Sequence, residues 1–157
     1  MPSATNQKNK LEIISPVFRM GAAIPPQYTC AGQNVNPPLN IFNTPPKTLS
    51  LVLVVHDPDA PGGDYLHWLV WDIPPSTDSI AVNSVPIGAL QGVNGMGKSS
   101  YMGPCPPSGT HRYVFDLYAL DKPLNLKSGV GLEQVQQAMD GHIIEQSSLN
   151  GTFAARA

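Results

Sequence analysis

This chain reads as a mainly β protein, its strands stacked in a sandwich or Greek-key arrangement with one helix added late. Seventeen prolines and fourteen glycines are spread through its 157 residues and leave little room for a long helix before residue 130. Between those breakers lie short apolar runs, the pattern of several short strands joined by turns. Helical spacing surfaces clearly at one place, Leu132, Val135 and Met139.

Taken in order, the polar residues 1–8 read as a loose tail ahead of a single domain, 9–157. The first strands fall at Leu11 to Ser15 and Leu39 to Phe42. Leu49 to Val55 is an apolar run broken only by Ser50, which suits a central strand covered on both faces. His67 to Ile73 is the next strand, and His111 to Leu120 is the longest and clearest. Gly131 and Gly141 bracket a helix over Leu132 to Met139, and a second short helix is expected to start near His142. Asn150-Gly151 then predicts a turn or a bulge inside a last strand that ends near Ala154.

Bulk properties exclude several functions. Charged residues make up 13% and the net charge is -2, with nine Lys and Arg scattered rather than clustered, so no nucleic-acid footprint is expected. No run approaches the ~18 apolar residues of a spanning helix, and Met1 to Lys10 lacks a secretory core. A cytoplasmic protein without stable membrane insertion is therefore expected. Cys30 and Cys105 read first as two buried thiols, with a disulfide between them as the alternative, since both lie in loops bounded by Pro and Gly. No cofactor is called for.

Chemistry concentrates at two histidines. His67 closes His56-Asp57-Pro58-Asp59-Ala60-Pro61-Gly62-Gly63-Asp64-Tyr65-Leu66-His67-Trp68, and His111 follows Gly103-Pro104-Cys105-Pro106-Pro107-Ser108-Gly109-Thr110. Each stands where a stiffened loop meets an apolar strand, the place where a small-molecule pocket is built. Strand alternation puts His111, Tyr113, Phe115 and Leu117 on one face, and puts His67 with Leu69 and Trp71, opposite Trp68 and Val70. If the two strands are neighbours, the imidazoles converge. Asp57 or Asp59 can accept an imidazole N–H, fixing its tautomer and favouring its cation, although Asp beside Pro is also a plain turn former. Gly95, Gly97 and Gly103 let backbone N–H groups approach a phosphate. His56 and His142 lack such context and read as structural or exposed.

Two motif matches are set aside. Gly92-Val93-Asn94-Gly95-Met96-Gly97-Lys98-Ser99 fits the P-loop spacing, but Gly103-Pro104 and Pro106-Pro107 come after it and cannot continue the helix that the mechanism needs. Asn150-Gly151-Thr152 matches the glycosylation triplet and reads as a turn.

Asp57-Pro58-Asp59-Ala60-Pro61 with His67-Trp68, together with Tyr101-Met102-Gly103-Pro104-Cys105-Pro106-Pro107-Ser108-Gly109-Thr110-His111-Arg112-Tyr113 further along, resembles the phosphatidylethanolamine-binding protein family, in its prokaryotic, Raf-kinase-inhibitor-like branch. The likeness extends from Ile24, through Tyr28-Thr29-Cys30-Ala31-Gly32 and Pro37-Pro38-Leu39, to Gly151-Thr152-Phe153. It implies a large antiparallel central sheet packed on a smaller sheet, with a C-terminal helix. It also implies a surface cavity for phosphate-like anions and phosphorylated head groups, lined by Asp57, His67, His111 and Tyr113 and walled by Pro61, Gly103, Pro106 and Pro107. Asp59 would orient the loop, and Tyr65 stands where the family often has an aromatic wall. The loop between Pro61 and His67 is shorter than in animal members and the C-terminal extension differs, so lipid selectivity and inhibition of a particular kinase do not transfer.

The expected function is non-enzymatic binding of a small anionic or phosphorylated ligand, with a kinase or protease as a further partner and a homodimer as the assembly the branch implies. Two alternatives stand beside it. One is a hydrolase using Asp57 or His111 as general base, or a metal held by His56, Asp57, His67 and His111. The other is a protease or kinase inhibitor acting through its outer surface.

Overall fold

The computed structural model describes residues 9–155. Nine elements succeed one another: β1 (Glu12–Ile14), β2 (Leu39–Phe42), β3 (Ser50–Asp57), β4 (Tyr65–Ile73), β5 (Ser79–Ile80), β6 (Leu90–Gln91), β7 (Thr110–Leu120), α1 (Leu132–Met139) and β8 (Ile143–Ala154), with a short 3-10 turn over Pro26–Tyr28. Two antiparallel sheets result, a small one in the order β1-β2-β5 and a large one in the order β6-β4-β3-β7-β8.

Strand β3 shows why its sequence lacks alternation. Leu51, Leu53 and Val55 face the small sheet and pack with Ile13, Leu39, Ile41, Phe115 and Leu117. Val52 and Val54 face the other way, with Leu69, Trp71 and the helix residues Val135 and Met139. The molecule is thus layered as small sheet, large sheet and helix, and both faces of the central strand need apolar side chains. Each fully buried Leu or Val here contributes roughly 1.5–3 kcal/mol relative to exposure.

The helix is bounded as its glycines predict. Gly131 precedes it and donates its N–H to the Gln134 side chain at 3.1 Å, while Gly141, at φ 81°, turns the chain away after Met139. Beyond the helix, three expectations need correction. No second helix starts at His142, because Ile143 already opens β8, whose pairing with β7 runs from Ile143 opposite Leu120 to Ala154 opposite Thr110. β-Branched Ile143 and Ile144 fit that pleated edge better than a helix. Asn150-Gly151 is neither turn nor bulge, since Asn150 faces Val114 and Gly151 faces Tyr113 in regular register and the irregularity lies instead at Ala119 and Leu120. Gly151 is small for a packing reason: a Cβ there would lie 2.7 Å from Ile24 Cγ1 and 2.8 Å from the Phe18 ring. The strand also buries Gly151 and half-buries Thr152, so the glycosylation triplet is sheet.

Cys30 and Cys105, read first as separate thiols, form a disulfide with a Cα–Cα distance of 5.5 Å. Around it, Cys30 donates its N–H to the Pro104 carbonyl at 3.1 Å and Gly103 donates to the Asn34 side chain at 2.8 Å. The Gly92–Ser99 segment is a loop with no helix behind it, as the prolines require.

Candidate functional site

The site grows from the end of β3. Alternation carries the inter-sheet face from Val55 to Asp57, and β7 brings His111 and Tyr113 to the same face. β4 and β7 are not neighbours, as the convergence argument required, because β3 lies between them. A β-bulge closes that gap. Val55 pairs with Trp68 while His56 pairs with Leu66, so His67 is the surplus residue on β4. Bulges re-aim side chains, and His67 stands 5.3 Å from the Tyr113 ring instead of sharing the helix face with Leu69 and Trp71.

A cavity of about 300 Å³ opens there. Asp57, Pro61, Tyr65, His67, Pro106, Pro107, His111 and Tyr113 line it, and Ala60, Met96, Met102 and Cys105 complete it. Two expected residues lie elsewhere. Asp59 forms a two-pronged pair with the Arg112 guanidinium at 2.8 and 2.9 Å and accepts the Arg112 N–H, which holds its carboxyl well below the usual range and raises the guanidinium. It fastens the loop to β7. Gly103 borders a second, adjacent cavity. The backbone N–H groups of Gly95 and Gly97, read from sequence as phosphate donors, are spent on the carbonyls of Leu66 and Asn94.

Both histidines are oriented through the same ring nitrogen. His111 Nδ1 donates to Asp57 Oδ2 at 2.6 Å, and Asp57 Oδ1 accepts the Asp59 N–H at 2.8 Å, an Asx turn that fixes the carboxylate. His67 Nδ1 donates to the Met102 carbonyl at 2.6 Å. Each imidazole is thereby left with Nε2 free of any partner among the described residues, and both rings line the cavity. Burial pushes the His67 pKa below its ordinary value, an effect that the Met102 bond only partly offsets. Tyr113 lies against both rings, and its fully buried hydroxyl makes no well-formed hydrogen bond among the described residues, with the Asp57 carboxylate as its nearby acceptor. Burial first and the nearby Asp57 second hold that phenol protonated, hence able to donate.

His56 points to the opposite face of β3. Its Nδ1 meets Asp64 at 2.8 Å and its Nε2 meets Asp116 at 2.7 Å, an arrangement that only the imidazolium satisfies as a double donor. The Asp116 bond is the largest cause of its raised pKa. A metal shared by His56, Asp57, His67 and His111 is thus ruled out by placement, and the described residues hold no group of three His, Cys, Asp or Glu arranged for a metal. His142 pairs with Asp121 at the surface. Sequence reasoning missed Ala60, Met96, Met102 and Cys105. Tyr101-Met102-Gly103 belongs to the motif that ends in His111-Arg112-Tyr113, but Met102 acts on His67 through a main-chain carbonyl, which no side-chain pattern reveals.

A paired Asp and His, a second buried His and a phenol around one small cavity in a two-sheet fold define a family of ligand-binding proteins. The family model described as phosphatidylethanolamine-binding protein matches residues 14–154, and the chain belongs to that family. It is 44% identical over 141 residues to a UPF0098 protein of Methanothermobacter thermautotrophicus, covering 87% of this chain and 93% of that one. It is 45% identical over 145 residues to LppC of Mycobacterium tuberculosis, named as a candidate lipoprotein, covering 91% of this chain and 72% of that one. Among solved structures, a candidate phosphatidylethanolamine-binding protein homolog from Chlamydia trachomatis, CT736, superposes with a TM-score of 0.91 at 40% identity over 94% of this chain and 99% of that one. E. coli YbcL, described as a new member of the mammalian family, superposes with a TM-score of 0.87 at 26% identity over 94% and 100%.

Proposed function

We propose that the cavity binds a small ligand through an anionic, phosphate-like group and performs no chemistry on it. The observation that carries this reading is the pair of unspent Nε2 atoms on two imidazoles that line one cavity. Protonated at Nε2, His67 and His111 each offer a charged donor, which suits two acceptor oxygens of one phosphate group, with the Tyr113 ring packed behind them. Asp57 is engaged in orienting His111 and Cys105 is bound to Cys30, and no serine, threonine or free thiol among the described residues lines the cavity as a nucleophile for His111 to activate. The disulfide and the lipoprotein name of one relative favour an oxidising compartment over the cytoplasm expected from sequence.

Binding is coupled to proton uptake. The empty site holds His67 below its ordinary pKa because the cation is poorly solvated there. An anion supplies the missing counter-charge, so the occupied site takes up a proton that the empty one lacks. Affinity then falls as pH rises, by up to about tenfold per unit for one coupled proton. Titration with inorganic phosphate and with sulfate, which has no ionisable proton near neutrality, checks this by NMR of the imidazole signals. Saturable shifts at His67 and His111, stronger at lower pH for both anions and lost in His111→Ala, are expected. Absence of shifts at either ring, with affinity flat across pH, refutes the reading.

A further inference from the structure

A second cavity of about 400 Å³ lies against the first, and Met96, Met102 and Cys105 line both. The residues shared by the two cavities are therefore two methionines and one half of the disulfide, whose side chains are apolar and, for the methionines, adaptable. Polar groups lie beyond it. Asn94 is held in place, its amide donating one N–H to the Ser100 carbonyl and its oxygen accepting from Met96 and Lys98. Asn34 spends its oxygen on the Gly103 N–H. What stays unspent among the described lining residues is the Asn34 amide nitrogen, the Ser100 hydroxyl and the Lys98 ammonium, which makes no ion pair. All three can donate, and no carboxylate lines this cavity.

We propose that the two cavities form one bipartite site for a small molecule carrying two anionic groups joined by a short uncharged linker. One group occupies the His67 and His111 pocket. The linker crosses Met96, Met102 and the disulfide, and the second group meets Lys98, Asn34 and Ser100. All three donors belong to exposed residues that water satisfies in the free protein, so a second anionic group gains by replacing that water at a charged donor, which neither a bare phosphate nor an apolar tail can do. The inference rests on the anion-pocket reading for its first half, and the test separates the two.

Isothermal titration at about 150 mM salt, where exposed charges act over only about 8 Å, compares a series of alkane-α,ω-diphosphonates with alkylphosphonates of equal length and with inorganic phosphate. One linker length is expected to bind at least about tenfold (about 1.4 kcal/mol) tighter than its monophosphonate counterpart. Lys98→Gln removes most of that gain while inorganic phosphate binds as before, and Lys98→Arg keeps it. A gain at no linker length, equal binding of the methyl-ended compounds, or equal weakening of phosphate and diphosphonate by Lys98→Gln overturns the bipartite site alone. Failure of wild type to bind even inorganic phosphate overturns the pocket reading and takes this one with it.

Discussion

Breaking the Cys30–Cys105 bond is expected to cost the protein several kilocalories and to loosen its cavity. The two cysteines are 75 residues apart. For a loop of that length, loss of the cross-link returns about 15 cal/mol/K to the unfolded chain, or about 4–5 kcal/mol at 25 °C. A domain of this size shifts its Tm by roughly 2–4 °C per kcal/mol. Reduction, or the double variant Cys30→Ser with Cys105→Ser, should thus lower the Tm by roughly 8–20 °C. Cys105 also lines the pocket and its neighbours hold Pro104 to Cys30 and Gly103 to Asn34, so phosphate affinity should fall several-fold at temperatures where the reduced protein is still folded. Thermal melts by circular dichroism, with intact-mass measurement to verify that the bond is formed before reduction, provide the assay. A Tm shift under about 2 °C upon verified reduction would refute the argument that the cross-link restrains the unfolded chain.

Three further outcomes are expected. Asp57→Asn cannot accept from both the Asp59 N–H and the His111 Nδ1–H without presenting its NH2 to one of them; the loss of one buried bond should destabilise by about 1–3 kcal/mol, and imidazole 15N shifts should show His111 moving its proton to Nε2 unless the reasoning about Nδ1 is wrong. Stability should depend on pH through two histidines of opposite sign. His67, depressed by burial, contributes fully above its unfolded pKa near 6.5 and loses that contribution as pH falls, whereas His56, raised first by its Asp116 bond against burial and then by Asp64, contributes fully below 6.5 and loses it as pH rises through its folded value. Urea unfolding across pH should show His67→Phe flattening the acid side and His56→Gln the alkaline side, and unchanged profiles would contradict the assigned environments. Gly151→Ala forces a Cβ against Ile24 and Phe18 and should cost about 1–3 kcal/mol by overpacking; a wild-type melting curve would show that those side chains have room to move.

What the chain reveals on reading depends on whether the signal is carried by one strand or by its neighbours. The double-sided burial of Leu51 to Val55 is legible because an uninterrupted apolar run has few other uses, and the face shared by His111, Tyr113 and Phe115 comes from simple alternation. His67 is not placed that way, since its strand carries a surplus residue that only the pairing with β3 exposes. Ile143 to Ser148, two exposed isoleucines followed by four polar residues, is ambiguous as a string because this half of β8 is largely solvated, and its register is set by β7 rather than by local propensity. The disulfide is open in sequence because two cysteines 75 residues apart gain their meaning only from the loops that bring them together. Pocket walls drawn from Met96 and Met102 are equally silent, as a methionine in a loop carries no directional pattern of its own.

The surplus residue on β4 has a consequence for how this site can change over generations. Trp68 and Val70 answer to the packing between the sheets, and Leu69 and Trp71 answer to the packing under the helix. Standing outside that alternation, His67 is released from both constraints. Substitution at position 67 can alter the cavity lining without disturbing the strand's interior pattern, while a one-residue deletion there would restore regular pairing opposite Val55 to Asp57, leave the second irregularity opposite Leu51 to Leu53 in place, and take a cavity side chain away in a single step. Under the proposed binding role, the bulge gives specificity a dial of its own, set into a strand whose neighbouring positions are committed to cohesion.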